Sequence, residues 1–287
     1  MPTPPYRGRL APSPTGFLHL GHARTFAAAA ERAAHGTLIF RMEDLDPDRC
    51  RADYFDAALE DLRWLGLTWQ EGPGIGGPCA PYTQSQRLSV YRAALRSLLA
   101  RGFLYPCRCS RKDLVASISA PHEAQTDDEP LYPGTCRPAS PFIATDAEDD
   151  LLLGRNWRFR VPDGEAIEFT DLNLGPQRFI AGRDFGDFVL WRRDGVPSYQ
   201  LACVADDEAM RITEVVRGAD LLKSTARQIL LARALDYTSP AWFHCALITD
   251  AAGTRLAKRH DALAIRTLRA RGFTPAQILS GDIPPES

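Results

Sequence analysis

A chain of 287 residues is long enough to bury a substantial core, as one large domain or one domain with a small insert. Its 24% charged and 45% hydrophobic residues are the balance of an ordinary globular protein, and no apolar run approaches the roughly 18 residues that span a bilayer, which excludes a helical membrane protein. A formal net charge of −2 excludes binding of a polyanion through bulk positive charge, so a nucleic-acid partner would use local patches.

Residues 9–22 read Arg-Leu-Ala-Pro-Ser-Pro-Thr-Gly-Phe-Leu-His-Leu-Gly-His. Pro12 and Pro14 fix their own φ angles and push Ala11 and Ser13 away from helical conformations, which predicts an extended stretch. Gly16 and Gly21 allow a turn or a close approach to a ligand, and the alanine-rich run 23–34 predicts a helix. His19 and His22 therefore fall three residues apart at a helix N-terminus, where orphan N–H groups and the helix dipole favour anions. Two imidazoles there suggest donors for nucleotide phosphates; capping, packing and metal binding are the competing readings of the bare pattern.

Residues 37–42 read as a short buried strand, so that strand, helix, strand opens a parallel α/β unit. Glu43, Asp44, Asp46 and Asp48 gather at its C-terminal edge, where open α/β sheets bind ligands and a carboxylate can meet an ammonium group. Some of these acids are expected to cap the next helix, 51–66, which carries Phe55, Leu59, Leu62 and Leu65. The scattered glycines of 71–81 predict a connection, and 85–101 a helix with Leu88, Tyr91, Leu95 and Leu98 on its core face.

The seven cysteines are an odd number at uneven spacing, and the start of the chain, Met-Pro-Thr-Pro-Pro, has no apolar signal region; reduced thiols and a cytoplasmic location are expected. Cys107, Cys109 and Cys136 cluster beside turn-forming Pro and Gly and suggest a small structural zinc site short of one ligand. By chemistry His122 is the orthodox fourth ligand. The acidic stretch between Cys109 and Tyr132, with Asp127, Asp128 and Glu129, suggests a surface loop.

From 156 to 198 short alternating runs broken by Gly and Pro predict a β-rich insertion, with a hairpin connection at 192–197. The α/β core resumes at 199; 212–216 is a strand, 217–220 a turn into a helix with Asp220 as candidate N-cap, and 242–248 a final strand. Beyond Arg259 a helix is expected over 261–271 and a second piece from Pro275. Arg192 with Arg193, the group Arg255, Lys258 and Arg259, and the group Arg266, Arg269 and Arg271 are candidate phosphate patches, although such runs are usually solvated faces.

The segment 9–22 resembles the first active-site element of class I aminoacyl-tRNA synthetases in its glutamate-type form, and Arg255-Leu256-Ala257-Lys258-Arg259 resembles their second, usually Lys-Met-Ser-Lys-Ser. The resemblance covers nearly the whole chain and implies a Rossmann-like α/β catalytic domain with a parallel sheet. It implies that Arg9, Leu10, Ala11, Pro12, Ser13, Glu43, Tyr199 and Arg217 bind L-glutamate, with Glu43 on the amino group, and that His19, Gly21, His22 and Lys258 bind ATP with its magnesium. His19, His22 and Lys258 would be catalytic, Lys258 by stabilising the charge on phosphate as pyrophosphate leaves. Arg255 keeps the charge of the usual first lysine, whereas Ala257 lacks the usual hydroxyl. Cys-x-Cys followed by Tyr-x3-Cys is similar to the zinc module of the short glutamyl-queuosine tRNA(Asp) synthetases, which implies Tyr132 as fourth ligand beside Cys107, Cys109 and Cys136, with His122 left open.

Four segments follow: the first half of the core (1–104), the zinc module and acceptor-side insertion (105–198), the second half of the core (199–259) and a short helical segment (260–287), too short for an anticodon-binding domain. The resemblance implies transfer of glutamate to queuosine in the anticodon arm of tRNA(Asp), by a monomer without membrane association. Charging of a tRNA 3′ end, a non-catalytic paralogue that binds glutamate or nucleotide, and an adenylate-forming small-molecule ligase are the alternatives.

Overall fold

The computed structural model describes residues 5–109, 131–142, 154–248 and 263–280; His122, Arg255, Ala257, Lys258 and Arg259 lie outside them. The first half comprises β1 (Arg7–Leu10), α1 (Leu20–Arg32), β2 (Thr37–Phe40), α2 (Ala52–Trp64) and α3 (Leu88–Ala100). Then come β3 (Leu104–Cys107), β4 (Asn156–Phe159), β5 (Ala166–Asp171), β6 (Gly175–Ile180) and β7 (Phe188–Trp191). The second half comprises α4 (Tyr199–Ala209), β8 (Glu214–Gly218), α5 (Leu222–Leu235) and β9 (Ala241–Cys245), with α6 (Ile265–Ala270) and α7 (Pro275–Ser280) after them.

β1 and β2 pair in parallel from Arg7↔Thr37 to Leu10↔Phe40, with α1 as the crossover that a parallel pair requires. On the other side of β1 lies β8, tied to it where Thr213 N donates to Arg7 O at 2.9 Å. β8 pairs in parallel with β9 from Glu214↔Ala241 to Gly218↔Cys245, across α5. Both faces of this assembly are covered, as parallel sheets require. Leu38, Phe40 and Val216 join the core under α1, α2, α6 and α7, whereas their neighbours Ile39 and Val215 join the core built on α3, α4 and α5. The alternation is the period-two geometry of a strand buried on both faces.

The residues 105–198 divide between two sheets. β3, β4 and β7 form an antiparallel sheet of their own. The β5–β6 hairpin instead continues the core: β5 pairs in parallel with β9 at Asp171↔Trp242, and Leu172 N donates to Trp242 O at 2.8 Å. The expected β-rich insertion is thus only partly separate, and its hairpin contributes Asp171 to the edge of the core sheet.

Three local expectations change. The helix placed from 85 begins at Leu88, after a 3-10 turn over Gln84–Gln86. Asp220 does not cap α5; it lies inside a second 3-10 turn, Ala219–Leu221, and the N-cap is Leu221 without a side-chain bond. The acids after β2 do not cap α2 either, because Arg51 is its N-cap with no side-chain bond. Asp46 accepts from Arg49 Nε at 2.7 Å, and Asp44 from Ser85 N and Oγ at 2.8 and 2.6 Å. Asp46 is claimed by a pair three residues away and Asp44 by one 41 residues away, so neither serves the helix terminus.

Among the described residues no helix is long and apolar enough to cross a membrane.

Candidate active site

The segment after β1 runs extended, as the prolines dictate, alongside the exit of β2: Arg41 N donates to Leu10 O at 2.8 Å, Glu43 N to Pro12 O at 3.0 Å and Arg51 N to Pro14 O at 3.0 Å. The chain then turns into α1 with His19 as N-cap. His19 Nδ1 accepts from Gly21 N at 3.1 Å and His22 Nδ1 accepts from His19 N at 3.3 Å, a reciprocal capping box with the two rings 3.9 Å apart. An imidazole that accepts at Nδ1 is neutral with its hydrogen on Nε2, so each ring has Nε2 as its one donor. The sequence reading of two phosphate-facing donors is therefore narrowed: one nitrogen of each ring is occupied in capping. A side chain at Gly21 would meet His19 Cε1 at 3.0 Å, which accounts for glycine there.

The start of α1 is also held by residues near the C-terminal end of the sequence. Leu20 N donates to Leu263 O at 3.1 Å and Ile265 N to Leu18 O at 2.8 Å, so residues 263–265 pair with the histidine segment.

The residues expected around glutamate come together. Arg217, on β8, is buried, 5% exposed. Its Nη1 donates to Tyr199 Oη at 3.3 Å, its Nη2 to Thr225 Oγ1 at 2.7 Å and its Nε to His244 Nε2 at 3.3 Å, with the guanidinium 4.9 Å from the Trp242 ring centre. Arg9 reaches across from β1: Nη1 donates to Val216 O at 2.9 Å, Nε stands 3.8 Å from Asp207 and has no hydrogen-bond partner although buried. Such an orphaned donor is expected where a ligand acceptor completes the site. Burial raises the Tyr199 phenol above its usual range, so it keeps its proton and can donate it.

Glu43 is fixed from beneath by Arg41, whose Nη2 donates to Oε1 at 2.9 Å, and receives Cys203 Sγ at 3.4 Å, one turn along α4 from Tyr199. Arg41 is fully buried and also donates from Nη1 to Asp207 at 2.6 Å. Asp206, 3.8 Å from Arg41 Nε, is held by Arg87 Nε at 2.6 Å, Tyr91 Oη at 2.8 Å and Gln84 Nε2 at 2.9 Å. Burial works against the charge on Arg41, but the surrounding Asp207, Glu43 and Asp206 carboxylates keep it fully protonated. Arg9, Arg41 and Arg87 thus balance Glu43, Asp206 and Asp207. Sequence reasoning singled out neither Arg41 and Asp207 nor the buried group Asp171, Thr225 and His244; the only signal for the latter was a lone histidine in a buried strand.

Cys107, Cys109 and Cys136 are also brought together, with sulfur atoms within 4.8 Å of one another. Cys109 and Cys136 Sγ are 3.6 Å apart, and Tyr132 Oη is 3.5 Å from Cys107 Sγ and 3.8 Å from Cys109 Sγ. A tetrahedral thiolate site with metal–sulfur bonds of about 2.3 Å separates its ligands by about 3.8 Å, so these four atoms fit the edges of such a tetrahedron. Arg158 supports two of them, donating to Cys107 Sγ at 3.2 Å and lying 3.8 Å over the Tyr132 ring. Burial, with the hydrogen bond to Cys136, pushes the Cys109 thiol up to about 11; at Cys136 burial is outweighed by bonds from the Arg108 amide, Tyr132 and Cys109, which bring it down to about 7. His122, the other candidate ligand, lies outside the described residues.

The family model for the catalytic domain of class I tRNA synthetases (E and Q) matches residues 6–282. The chain is 51% identical over 274 residues to a glutamyl-Q tRNA(Asp) synthetase of Symbiobacterium thermophilum, covering 95% of this chain and 84% of that protein. It is 45% identical over 271 residues to a glutamate–tRNA ligase 2 of Nitrosococcus oceani, covering 93% of this chain and 56% of that one. Among solved structures, a glutamate tRNA ligase from Elizabethkingia meningosepticum, in complex with its amino acid, superposes with a TM-score of 0.76 at 32% identity, over 94% of this chain and 54% of that one.

Proposed function

We propose, from the premise that this chain belongs to the class I tRNA synthetases of the E and Q type and carries their catalytic domain, that it activates L-glutamate with ATP and transfers it to the queuosine base of tRNA(Asp). The protein is an ATP-dependent ligase. The observation that carries the substrate reading is the grouping of buried charges at these strand ends: Arg217 donates to the Tyr199 hydroxyl, Arg9 to the carbonyl of the preceding residue Val216, and the Glu43 carboxylate is held by Arg41 and by Cys203, one turn along α4 from Tyr199. Glutamate offers two carboxylates and one ammonium, and that grouping offers their complements. Leu10, Ala11, Pro12 and Ser13 would line the substrate with backbone, Leu10 O and Pro12 O being held by Arg41 N and Glu43 N.

An oxygen of the glutamate α-carboxylate would attack the α-phosphorus of ATP, breaking the bond to the bridging oxygen and releasing pyrophosphate with its magnesium. His19 and His22, through Nε2–H, Gly21 by admitting close approach, and Lys258, which follows β9 in the sequence, would stabilise the charge developing on phosphate. A hydroxyl of the acceptor then attacks the carbonyl carbon of the mixed anhydride and AMP departs. No protein nucleophile is required.

Queuosine as acceptor is supported by the chain's 51% and 49% identity to proteins named glutamyl-Q tRNA(Asp) synthetase, of which it covers 84% and 87%. Labelled glutamate, supplied with ATP, is expected to label tRNA(Asp) that carries queuosine and not the same tRNA lacking it. Equal labelling of both would instead assign the 3′ terminus as acceptor, as in the glutamate–tRNA ligases. Labelling of neither, without glutamate-dependent pyrophosphate exchange, would indicate a non-catalytic paralogue.

Zinc is the metal best suited to three thiolates and a phenol oxygen in tetrahedral array, and its role here is structural, linking β3 to the 132–136 turn. Cys107→Ser is expected to lower metal affinity by more than the roughly 10–100-fold seen when only a supporting residue is lost, and to lower the melting temperature with it. Unchanged zinc stoichiometry by atomic absorption would remove Cys107 from the site.

A further inference from the structure

Arg217 has five N–H groups, and three of them are committed to Tyr199, Thr225 and His244. Two remain, one on each terminal nitrogen, which is the number a bidentate carboxylate takes. Whether that pair faces the substrate depends on what anchors the other three, and two of the anchors, Thr225 and His244, are fully buried, His244 on β9.

His244 is itself held in one orientation. Its Nδ1 lies 2.6 Å from Asp171 Oδ2, at the C-terminal end of β5. That carboxylate also accepts from His244 N at 3.1 Å, Asn173 N at 3.0 Å and Leu174 N at 2.9 Å, and although burial opposes its charge, these bonds hold its proton affinity below the usual range. An ionised Asp171 requires Nδ1 to donate. Burial, reinforced by the Arg217 charge, keeps the imidazole neutral, so Nε2 is an acceptor. Thr225 Oγ1, 2.9 Å from Nε2, and Arg217 Nε fill it. The bonds therefore run in one direction: Arg217 to Thr225 and His244, His244 to Asp171.

We propose that His244, oriented by Asp171, is a positioning residue for substrate recognition: with Thr225 it holds the Arg217 guanidinium so that its two remaining N–H groups meet a substrate carboxylate. The inference rests on the glutamate reading of the pocket. It assigns the β5–β6 hairpin a part in the site, since that hairpin brings Asp171 to β9 at the Asp171↔Trp242 pairing.

The two nitrogens of His244 can be tested separately. His244→Gln places an amide oxygen near the Nε2 position and keeps an acceptor for Arg217 and Thr225. His244→Asn places an amide N–H near the Nδ1 position and keeps the bond to Asp171. In glutamate-dependent ATP–pyrophosphate exchange, His244→Asn is expected to raise KM for glutamate roughly tenfold or more while kcat changes by less than about threefold. His244→Gln should recover most of that loss, leaving KM within about threefold of the parent protein. The opposite ranking, or equal effects from both, would mean that His244 acts only as a link between β5 and β9, and the proposal would fall. Should His244→Asn not fold, Thr225→Val makes the same decision: an unchanged KM overturns the proposal and a roughly tenfold rise supports it. Exchange by the parent protein that does not depend on glutamate would overturn the substrate reading itself, and is recognised before any variant is compared.

Discussion

Arg217→Ala is expected to lower kcat/KM for glutamate in ATP–pyrophosphate exchange by roughly 10²–10³-fold, about 3–4 kcal/mol, with most of the loss in KM. The magnitude follows from burial. Arg217 is 5% exposed, so a substrate carboxylate that entered the pocket without it would lose its water and gain no charged partner in exchange. The variant also removes the donor that fills His244 Nε2 and the cation stacked on Trp242, so a part of the loss will appear as lowered stability and must be measured by thermal melting alongside kinetics. Arg217→Lys separates charge from shape: an ammonium restores a cation but not the pair of parallel N–H groups, and should recover only a fraction of the activity. Activity of Arg217→Ala within threefold of the parent protein would exclude Arg217 from substrate contact.

The same pocket shows what a linear reading can and cannot reach. The extended path of residues 9–14 and the entry to α1 are written locally, since proline fixes backbone angles whatever surrounds it and alanine favours helix by itself. The core face of α3 was legible for the same reason: Tyr91, Leu95 and Leu98 recur at helical spacing and all three are buried. The resemblance to glutamate-type synthetases supplied Arg9, Glu43, Tyr199 and Arg217, which the fold joins through shared neighbours. What holds these four had no local signature. Arg41 reaches Asp207 across 166 positions, and His244 reaches Asp171 across 73. Nothing in the spacing of a lone acid on one strand and a lone histidine on another marks them as partners until sheet order puts β5 beside β9.

Registry explains the remaining differences. The alternation at 166–169 marks a strand but neither its hairpin partner β6 nor the edge that the hairpin joins, and pairing with β9 rests on the single position Asp171↔Trp242. His19 and His22 were read as phosphate donors from their place at a helix N-terminus. Orphan N–H groups at that terminus are just as strong a demand, and one nitrogen of each ring meets it. The two readings are compatible, because the capping bonds fix both tautomers and leave Nε2 as the donor on each ring. Capping here is a means of orienting the imidazoles rather than an alternative to their chemistry.

The same relation between support and chemistry makes Arg41 the position where stability should suffer most. Arg41→Met is expected to lower the free energy of unfolding by about 3–5 kcal/mol, because it removes one member of a buried charge network and leaves the others behind. Asp206 would keep Arg87, Tyr91 and Gln84, so its charge remains satisfied. Glu43 and Asp207 would not. Among the described residues Glu43, 7% exposed, would retain only the Cys203 thiol at 3.4 Å, and Asp207, 6% exposed, only Arg9 Nε at 3.8 Å. Urea unfolding followed by circular dichroism measures the loss directly, and a change below about 1 kcal/mol would mean that water or another cation reaches these carboxylates in the folded protein. Arg41→Lys should recover less than half, since a single ammonium cannot serve Glu43 at 2.9 Å and Asp207 at 2.6 Å in the directions a guanidinium does. Glutamate-dependent exchange should fall in both variants at temperatures where they remain folded. Glu43 is the carboxylate that would meet the substrate ammonium, and Asp207 is the anion beside the orphaned Nε of Arg9, so loss of Arg41 loosens both ends of the recognition site although Arg41 itself touches no substrate.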